Sequence, residues 1–221
     1  MSILPERWDE IVSHEEPRLD LGSLASAIDG AYAAYPGRVN PPRDRVFRAL
    51  ELPLEEVRVV LLGQDPYPGR RVADGLAFST QQGTTPASLR NIHREICSEL
   101  GQARPVCNDL TYLFKQGVLL YNTSLISLEG KPLFFAKIPE FKLLSGAVIS
   151  ALSKRGKVVF MLLGRQAQVF APLVDTERNA LLMAAHPSPL SAAHGFFGSG
   201  IFTACNEKLI GWGFKPIQWL A

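Results

Sequence analysis

Three side chains able to do chemistry stand at matching places in this chain: Asp65, Asn122 and His186. Each lies at or just past the end of a short apolar run. The first run is Val57-Arg58-Val59-Val60-Leu61-Leu62-Gly63, followed at once by Gln64-Asp65-Pro66-Tyr67-Pro68. A proline fixes its own φ and restricts the residue before it, so Asp65 is held extended. The same residues also make an ordinary Asp-Pro turn. A single polar strand end is more often a turn than a site. Here four run ends coincide, because Gly164-Arg165 closes a fourth run. If the runs are parallel strands of one sheet, an acid, an amide and an imidazole face one crevice beyond their carboxyl ends.

The loop His186-Pro187-Ser188-Pro189-Leu190-Ser191 is the most specific stretch. Two prolines stiffen a segment that carries an imidazole, two hydroxyls and a leucine. An apolar tip on such a loop suits a wedge pushed into a base stack, with serines and backbone amides holding phosphates. The alternative is a leucine tucked back into the core. Ser188, His186 and Asp65 could also be read as an ester-hydrolase triad. That reading lacks the Gly-x-Ser-x-Gly turn which exposes a nucleophile.

The elements that must position these groups follow from periodicity. Residues 57–63, 117–122, 157–164 and 180–186 read as strands, short and bounded by turn residues. Being apolar on both faces, such strands suit a parallel sheet covered by helices. Leu21, Leu24, Ala25, Ile28, Ala31 and Tyr32 make one face of a helix, and Pro41-Pro42 opens a second, short one. Thr84-Thr85-Pro86 predicts a threonine-capped helix carrying Ser88, with its N–H groups suited to an anion. Residues 139–153 and 165–173 complete the helices. Phe78 closes a glycine-bearing loop, and a lone aromatic of this kind is usually core. Gly198-Ser199-Gly200 follows no strand and gives no support to a dinucleotide-binding loop.

Length and composition set the frame. The 221 residues, 47% hydrophobic and 20% charged, suit one α/β domain spanning 1–221, with 1–40 as a peripheral helical segment. No apolar run approaches the roughly 20 residues of a membrane helix, and the acidic N-terminus has no signal-peptide core. The expected location is the cytoplasm, or the nucleus in a eukaryote. Three scattered cysteines with no Cys-x-x-Cys give neither a zinc ribbon nor a disulfide framework. Net charge is +2, yet residues 111–221 carry 11 Lys+Arg against 5 Asp+Glu, while residues 1–110 carry 12 against 16. A basic C-terminal half hints at a polyanion face.

Five stretches together carry a resemblance. They are Gly63-Gln64-Asp65-Pro66-Tyr67, Leu76-Ala77-Phe78-Ser79, Ser88-Leu89-Arg90-Asn91, Leu120-Tyr121-Asn122-Thr123, and His186 to Ser191 followed by Gly195-Phe196-Phe197-Gly198. In order and spacing, from about Pro41 to Trp219, they resemble family 1 uracil-DNA glycosylases. The resemblance implies a doubly covered, twisted, four-stranded parallel sheet. It also implies an enzyme that flips uracil out of DNA and hydrolyses its N-glycosidic bond, without metal or cofactor. Asp65 would position water and stabilise the sugar cation, and His186 would hydrogen-bond uracil O2. Asn122 would read the uracil edge, Gln64 would contact uracil through its backbone, Phe78 would stack on it, and Tyr67 would reject thymine. Leu190 would fill the vacated hole. Ser88, Ser188 and Ser191 would grip phosphates, with Gly164, Arg165 and His194 on the same DNA face. Partners would be single- or double-stranded DNA and a DNA-mimicking inhibitor protein, and the chain would act as a monomer.

The chain departs from the family pattern at Pro68, where a histidine is common, at Arg165, where a serine is usual, and at His194, where an arginine is common. The Ser-His and Gly-Trp landmarks before residue 150 are absent. A DNA-binding module that has lost catalysis is the alternative these departures raise, and intact Asp65 and His186 weigh against it.

Overall fold

The structure, a computed structural model, describes residues 3–5, 7–101 and 107–220. Residues 1–2, 6, 102–106 and 221 of the expected 1–221 span lie outside the described residues. In chain order the elements are helices α1 (Trp8–Glu15) and α2 (Leu21–Ala34), strands β1 (Val39–Asn40) and β2 (Val59–Gly63), and helices α3 (Ala87–Leu100) and α4 (Thr111–Phe114). Strands β3 (Val118–Asn122) and β4 (Ser127–Leu128), helix α5 (Pro139–Arg155), strand β5 (Val159–Leu163), helix α6 (Arg165–Gln168), strand β6 (Ala180–Ala184) and helix α7 (Ile201–Gly211) follow.

Strands β3-β2-β5-β6 form one sheet in that order, parallel throughout. The apolar runs explain this directly. Every residue of β2 and β5 is buried, as expected of strands covered on both faces. The edge strand β6 is more open, and its Met183 is exposed. The chain steps from β2 outward to β3, then crosses to β5 on the other side of β2. The two steps run in opposite directions, so right-handed crossovers place α3 and α5 on opposite faces. Helix α7 packs with α3, while α1 and α2 pack against α5. The reversal between β2 and β5 is the topological switch point, where open α/β sheets bind ligands. The four-stranded, helix-covered α/β sheet is the expected one. Among the described residues no helix is long and apolar enough to cross a membrane.

Three local expectations change. The threonine cap of α3 is not made. Pro86 itself is the N-cap residue, and Thr85 turns away to donate from Oγ1 to Asn108 Oδ1 at 2.8 Å. The short helix after Pro41-Pro42 is two 3-10 turns, Arg43–Arg45 and Arg48–Glu51, ended before Pro53. The helix expected over 165–173 stops at Gln168, and a 3-10 turn containing Pro172 takes over. Proline lacks the N–H that a continuing helix needs. The antiparallel pair β1 and β4 was not expected. At two residues each, they are too short for a period to register.

Candidate active site

One pocket at the switch point is lined by Gln64, Asp65, Pro66, Tyr67, Pro68, Leu76, Phe78, Ser88, Asn122 and His186. Seven of the site residues expected from sequence therefore share a cavity, and the departing Pro68 lines it too. Strand register begins the assembly: Gly63 on β2 pairs with Asn122 on β3. A side chain at Gly63 would push the Asn122 amide out of place. A Cβ on Gly63 would lie 2.5 Å from Asn122 Oδ1 and 3.2 Å from the Phe78 ring. The Asn122 amide makes no hydrogen bond among the described residues, so a ligand can claim both its donor and its acceptor.

The backbone after β2 is similarly divided. The Gln64 carbonyl accepts from Ser124 N–H at 2.8 Å and from Thr123 Oγ1 at 3.0 Å. The Gln64 N–H has no acceptor among the described residues and remains for a ligand. Asp65 is half-buried. Its Oδ2 accepts from the Leu133 N–H at 2.8 Å, and burial outweighs that bond, raising its carboxyl above the ordinary value.

Phe78 is buried and sits at φ +64°, a left-handed conformation uncommon for an aromatic residue. Its neighbours hold it there. The Tyr67 hydroxyl donates to the Phe78 carbonyl at 3.0 Å, and Ala77 N–H donates to Leu120 of β3 at 2.9 Å. Asp74, buried and paired with Arg48 at 3.0 Å, accepts from Leu76 N–H and Ser79 Oγ. The Phe78 ring centroid lies 5.9 Å from that of His186.

His186 follows β6. The backbone N–H of Ser188 donates to its Nδ1 at 3.0 Å. A nitrogen that accepts carries no proton, so the neutral ring bears its hydrogen on Nε2. Burial lowers the imidazole pKa and so favours this neutral form. Gly164 lies against the ring, and a Cβ there would come within 2.7 Å of His186 Cβ. Its glycine identity is thus explained by His186 as well as by its φ of +85°.

The loop beyond His186 is braced internally. Ser191 Oγ donates to the His186 carbonyl at 2.7 Å, and the Ser188 and Ser191 hydroxyls lie 2.8 Å apart. Asn91 on α3 donates from Nδ2 to the Pro187 carbonyl at 2.8 Å, tying the loop to the helix that carries Ser88. Leu190 at the tip is 91% exposed, so the tucked-in alternative fails. Arg165 and His194 are exposed beyond the pocket. An ester-hydrolase triad is not formed. Ser188 offers His186 its backbone N–H rather than its hydroxyl, and the one hydrogen bond Asp65 makes among the described residues is to Leu133. Sequence reasoning missed Leu133 and Asn91. Leu133 acts through a backbone N–H, which leaves no signature in residue type. Asn91 lay inside a recognised stretch without a role.

What the arrangement can do is specific. The imidazole with its hydrogen on Nε2, the open Asn122 amide, the Gln64 N–H and the Asp65 carboxylate share one small pocket with the Tyr67 and Phe78 rings. Donors aimed at one ligand stabilise negative charge as it develops, and the carboxylate suits positive charge beside it.

Comparison with known proteins adds a family and a fold. Residues 51–210 match the model of the uracil DNA glycosylase superfamily. The chain is 45% identical to the uracil-DNA glycosylase of Campylobacter fetus subsp. fetus, over 98% of this chain and 93% of that one. It is 39% identical to that of Latilactobacillus sakei subsp. sakei, over 99% and 95%. The crystal structure of mimivirus uracil-DNA glycosylase superposes with a TM-score of 0.84 at 22% identity, covering 98% of this chain and 87% of that one, a likeness of fold. A mimivirus UNG variant in complex with UGI superposes at 0.79 and 24% identity, over 86% of this chain and 79% of that chain.

Proposed function

Since the chain belongs to the uracil DNA glycosylase superfamily, we propose that it removes uracil from DNA by hydrolysing the N-glycosidic bond, the opening step of base excision repair. One observation carries the assignment of roles: Ser188 N–H occupies Nδ1 of the pocket-lining His186, so the neutral imidazole has its one N–H donor on Nε2.

As the bond between C1′ and uracil N1 breaks, its electron pair passes to the base. Negative charge grows on O2, where the His186 Nε2–H and the Gln64 N–H meet it. Positive charge grows on the sugar beside Asp65. Water adds to C1′ under the Asp65 carboxylate, which takes up the water's proton, and the base leaves as an anion to be protonated from solvent. Asn122 matches uracil's N3–H and O4, while cytosine presents the opposite pattern and would leave buried groups unpaired. Thymine differs only by a methyl group. The Tyr67 ring, fixed by its bond to Phe78, excludes it by shape.

The exposed Leu190 fills the space of the extruded base, and the His186–Ser191 loop, the Ser88 end of α3, Gly164, Arg165 and His194 form the DNA face. Both Ser188 and Ser191 hydroxyls brace the loop, so phosphate contact there exchanges an internal bond for an external one. A DNA-mimicking inhibitor protein would use the same face. The chain acts as a cytoplasmic monomer on single or double strands.

The test is base release from oligonucleotides carrying one U, T, C or hypoxanthine, in EDTA, with alkaline cleavage to reveal abasic sites. Release of uracil alone is expected. No release from any substrate, with DNA still bound, would return the chain to a catalytically silent DNA-binding module.

A further inference from the structure

The pole of the sheet opposite the catalytic crevice carries a cluster of basic residues. Arg58 precedes β2, Lys157 precedes β5 and Arg178 lies just before β6, so all three gather at the amino ends of the strands. Arg155 joins them from the end of α5. Five strand residues, about 16 Å, separate this pole from the crevice. The four cations and two aromatics, Trp212 and Phe214, line an open cavity of about 490 Å³.

The charges there are poorly balanced. Among the described residues none of the four cations pairs with a carboxylate. Glu177 also lines the cavity, and Glu55, whose charge reaches Arg155, is engaged by Arg7 at 2.9 Å. Arg155 spends its terminal nitrogens on the carbonyls of Leu54, Glu55 and Val57, while its buried Nε has no partner. Arg58 lies over the Phe214 ring, 4.7 Å from its centroid. Burial opposes the Arg155 charge, and repulsion from Arg58 adds to that cost. Lys157 and Arg178 are exposed. Guanidinium groups suit phosphate oxygens, and aromatic faces suit a base of any sequence.

We propose that this cavity binds a nucleotide, its phosphates on the cationic cluster and its base against Trp212 and Phe214. The occupant is either a free nucleotide or one unit of a DNA strand that runs around the molecule. The site accounts for part of the basic C-terminal half that the catalytic face leaves unused.

Fluorescence supplies a built-in reporter. Trp8 and Trp219 are each 1% exposed, whereas Trp212 lines the cavity. Titration with deoxyadenosine diphosphate should quench emission to saturation. Lys157→Gln combined with Arg178→Gln should weaken that binding at least tenfold, while turnover of a short uracil-bearing strand stays unchanged. Phe214→Leu, which keeps every charge, should weaken the nucleotide but not inorganic pyrophosphate in calorimetry. Long single strands separate the two sources. If a strand occupies the site, the double variant lowers the salt slope of binding by about 1.4, from two phosphates at about 0.7 each. If only free nucleotides do, the slope is the same in both proteins. An absent quench, or one that the double variant retains in full, overturns the proposal. Uracil release is read separately, so its failure would not be confused with this one.

Discussion

His186 is held by a backbone amide rather than by a carboxylate. That difference decides its chemistry, because an Asp partner would favour imidazolium, whereas an N–H donor on Nδ1 is compatible only with the ring unprotonated at that nitrogen. In the proposed mechanism Asp65 is then the group that must be charged. Replacing Asp65 with Asn preserves an oxygen for the Leu133 N–H but removes the negative charge. Turnover should fall about 10²–10⁴-fold, the span of a positioned acid or base, with DNA affinity retained. Near-normal turnover would remove Asp65 from its role. The pH profile follows from the same pair. Burial raises the Asp65 pKa, so activity is present above that raised value and lost as pH falls through it. Burial lowers the His186 pKa, so its neutral form persists to lower pH than usual. The acid limb of kcat/KM should therefore survive in His186→Gln at reduced height, and its disappearance would assign the limb to the histidine instead. At this scale the sequence pointed to side chains that the fold gathers in one pocket, Asp65, Asn122 and His186. It was silent on the Leu133 N–H, a backbone group, and the backbone contact of Gln64 came only from the family resemblance.

Elements position these groups by anchoring short loops at several points. The Leu190 loop shows how. Its base is pinned by Asn91 of α3 at Pro187, and Ala185 N–H donates to the Gly195 carbonyl at 3.2 Å. Phe196 is fully buried, and Glu95 of α3 accepts from Gly198 and Ser199 N–H. A tip anchored this way keeps its leucine in water without collapsing. Leu190→Ala should thus leave thermal stability within about 0.5 kcal/mol, as for other exposed positions. Extrusion from a duplex costs a few kcal/mol, and losing the wedge should cost about 1.4 of it, a tenfold drop in kcat/KM on duplex DNA. Single-stranded substrate should be processed as before. An equal loss on both would mean that the leucine touches something other than the vacated stack. The strands were legible because four or five consecutive apolar residues leave little alternative. The α3 start was legible in place but not in mechanism, since both a capping threonine and a capping proline fit Thr85-Pro86.

The N-terminal segment shows what periodicity leaves out at the scale of the whole molecule. Its second helix, α2, had a readable apolar face, but α1 has only two deeply buried side chains, Trp8 and Val12. That is too few for a helical stripe. Yet α1 packs along α5, whose own interior is Phe141, Leu144, Val148 and Leu152, and Trp8 is 1% exposed. The Trp8 indole donates from Nε1 to the Leu52 carbonyl at 3.1 Å, which joins the segment to the turn leading into β2. A buried tryptophan with its polar handle satisfied contributes both area and a hydrogen bond. Trp8→Ala should cost about 3–5 kcal/mol. For a chain of this size that lowers the midpoint of thermal unfolding by roughly 10–15 °C. Trp8 lines no part of the catalytic pocket, so kcat/KM measured well below the new midpoint should be unchanged. Scanning calorimetry beside uracil release at low temperature separates the two quantities. A variant that kept its midpoint would show that α1 merely rests on the surface. One that lost turnover while still folded would show that the segment reaches the site through the turn before β2.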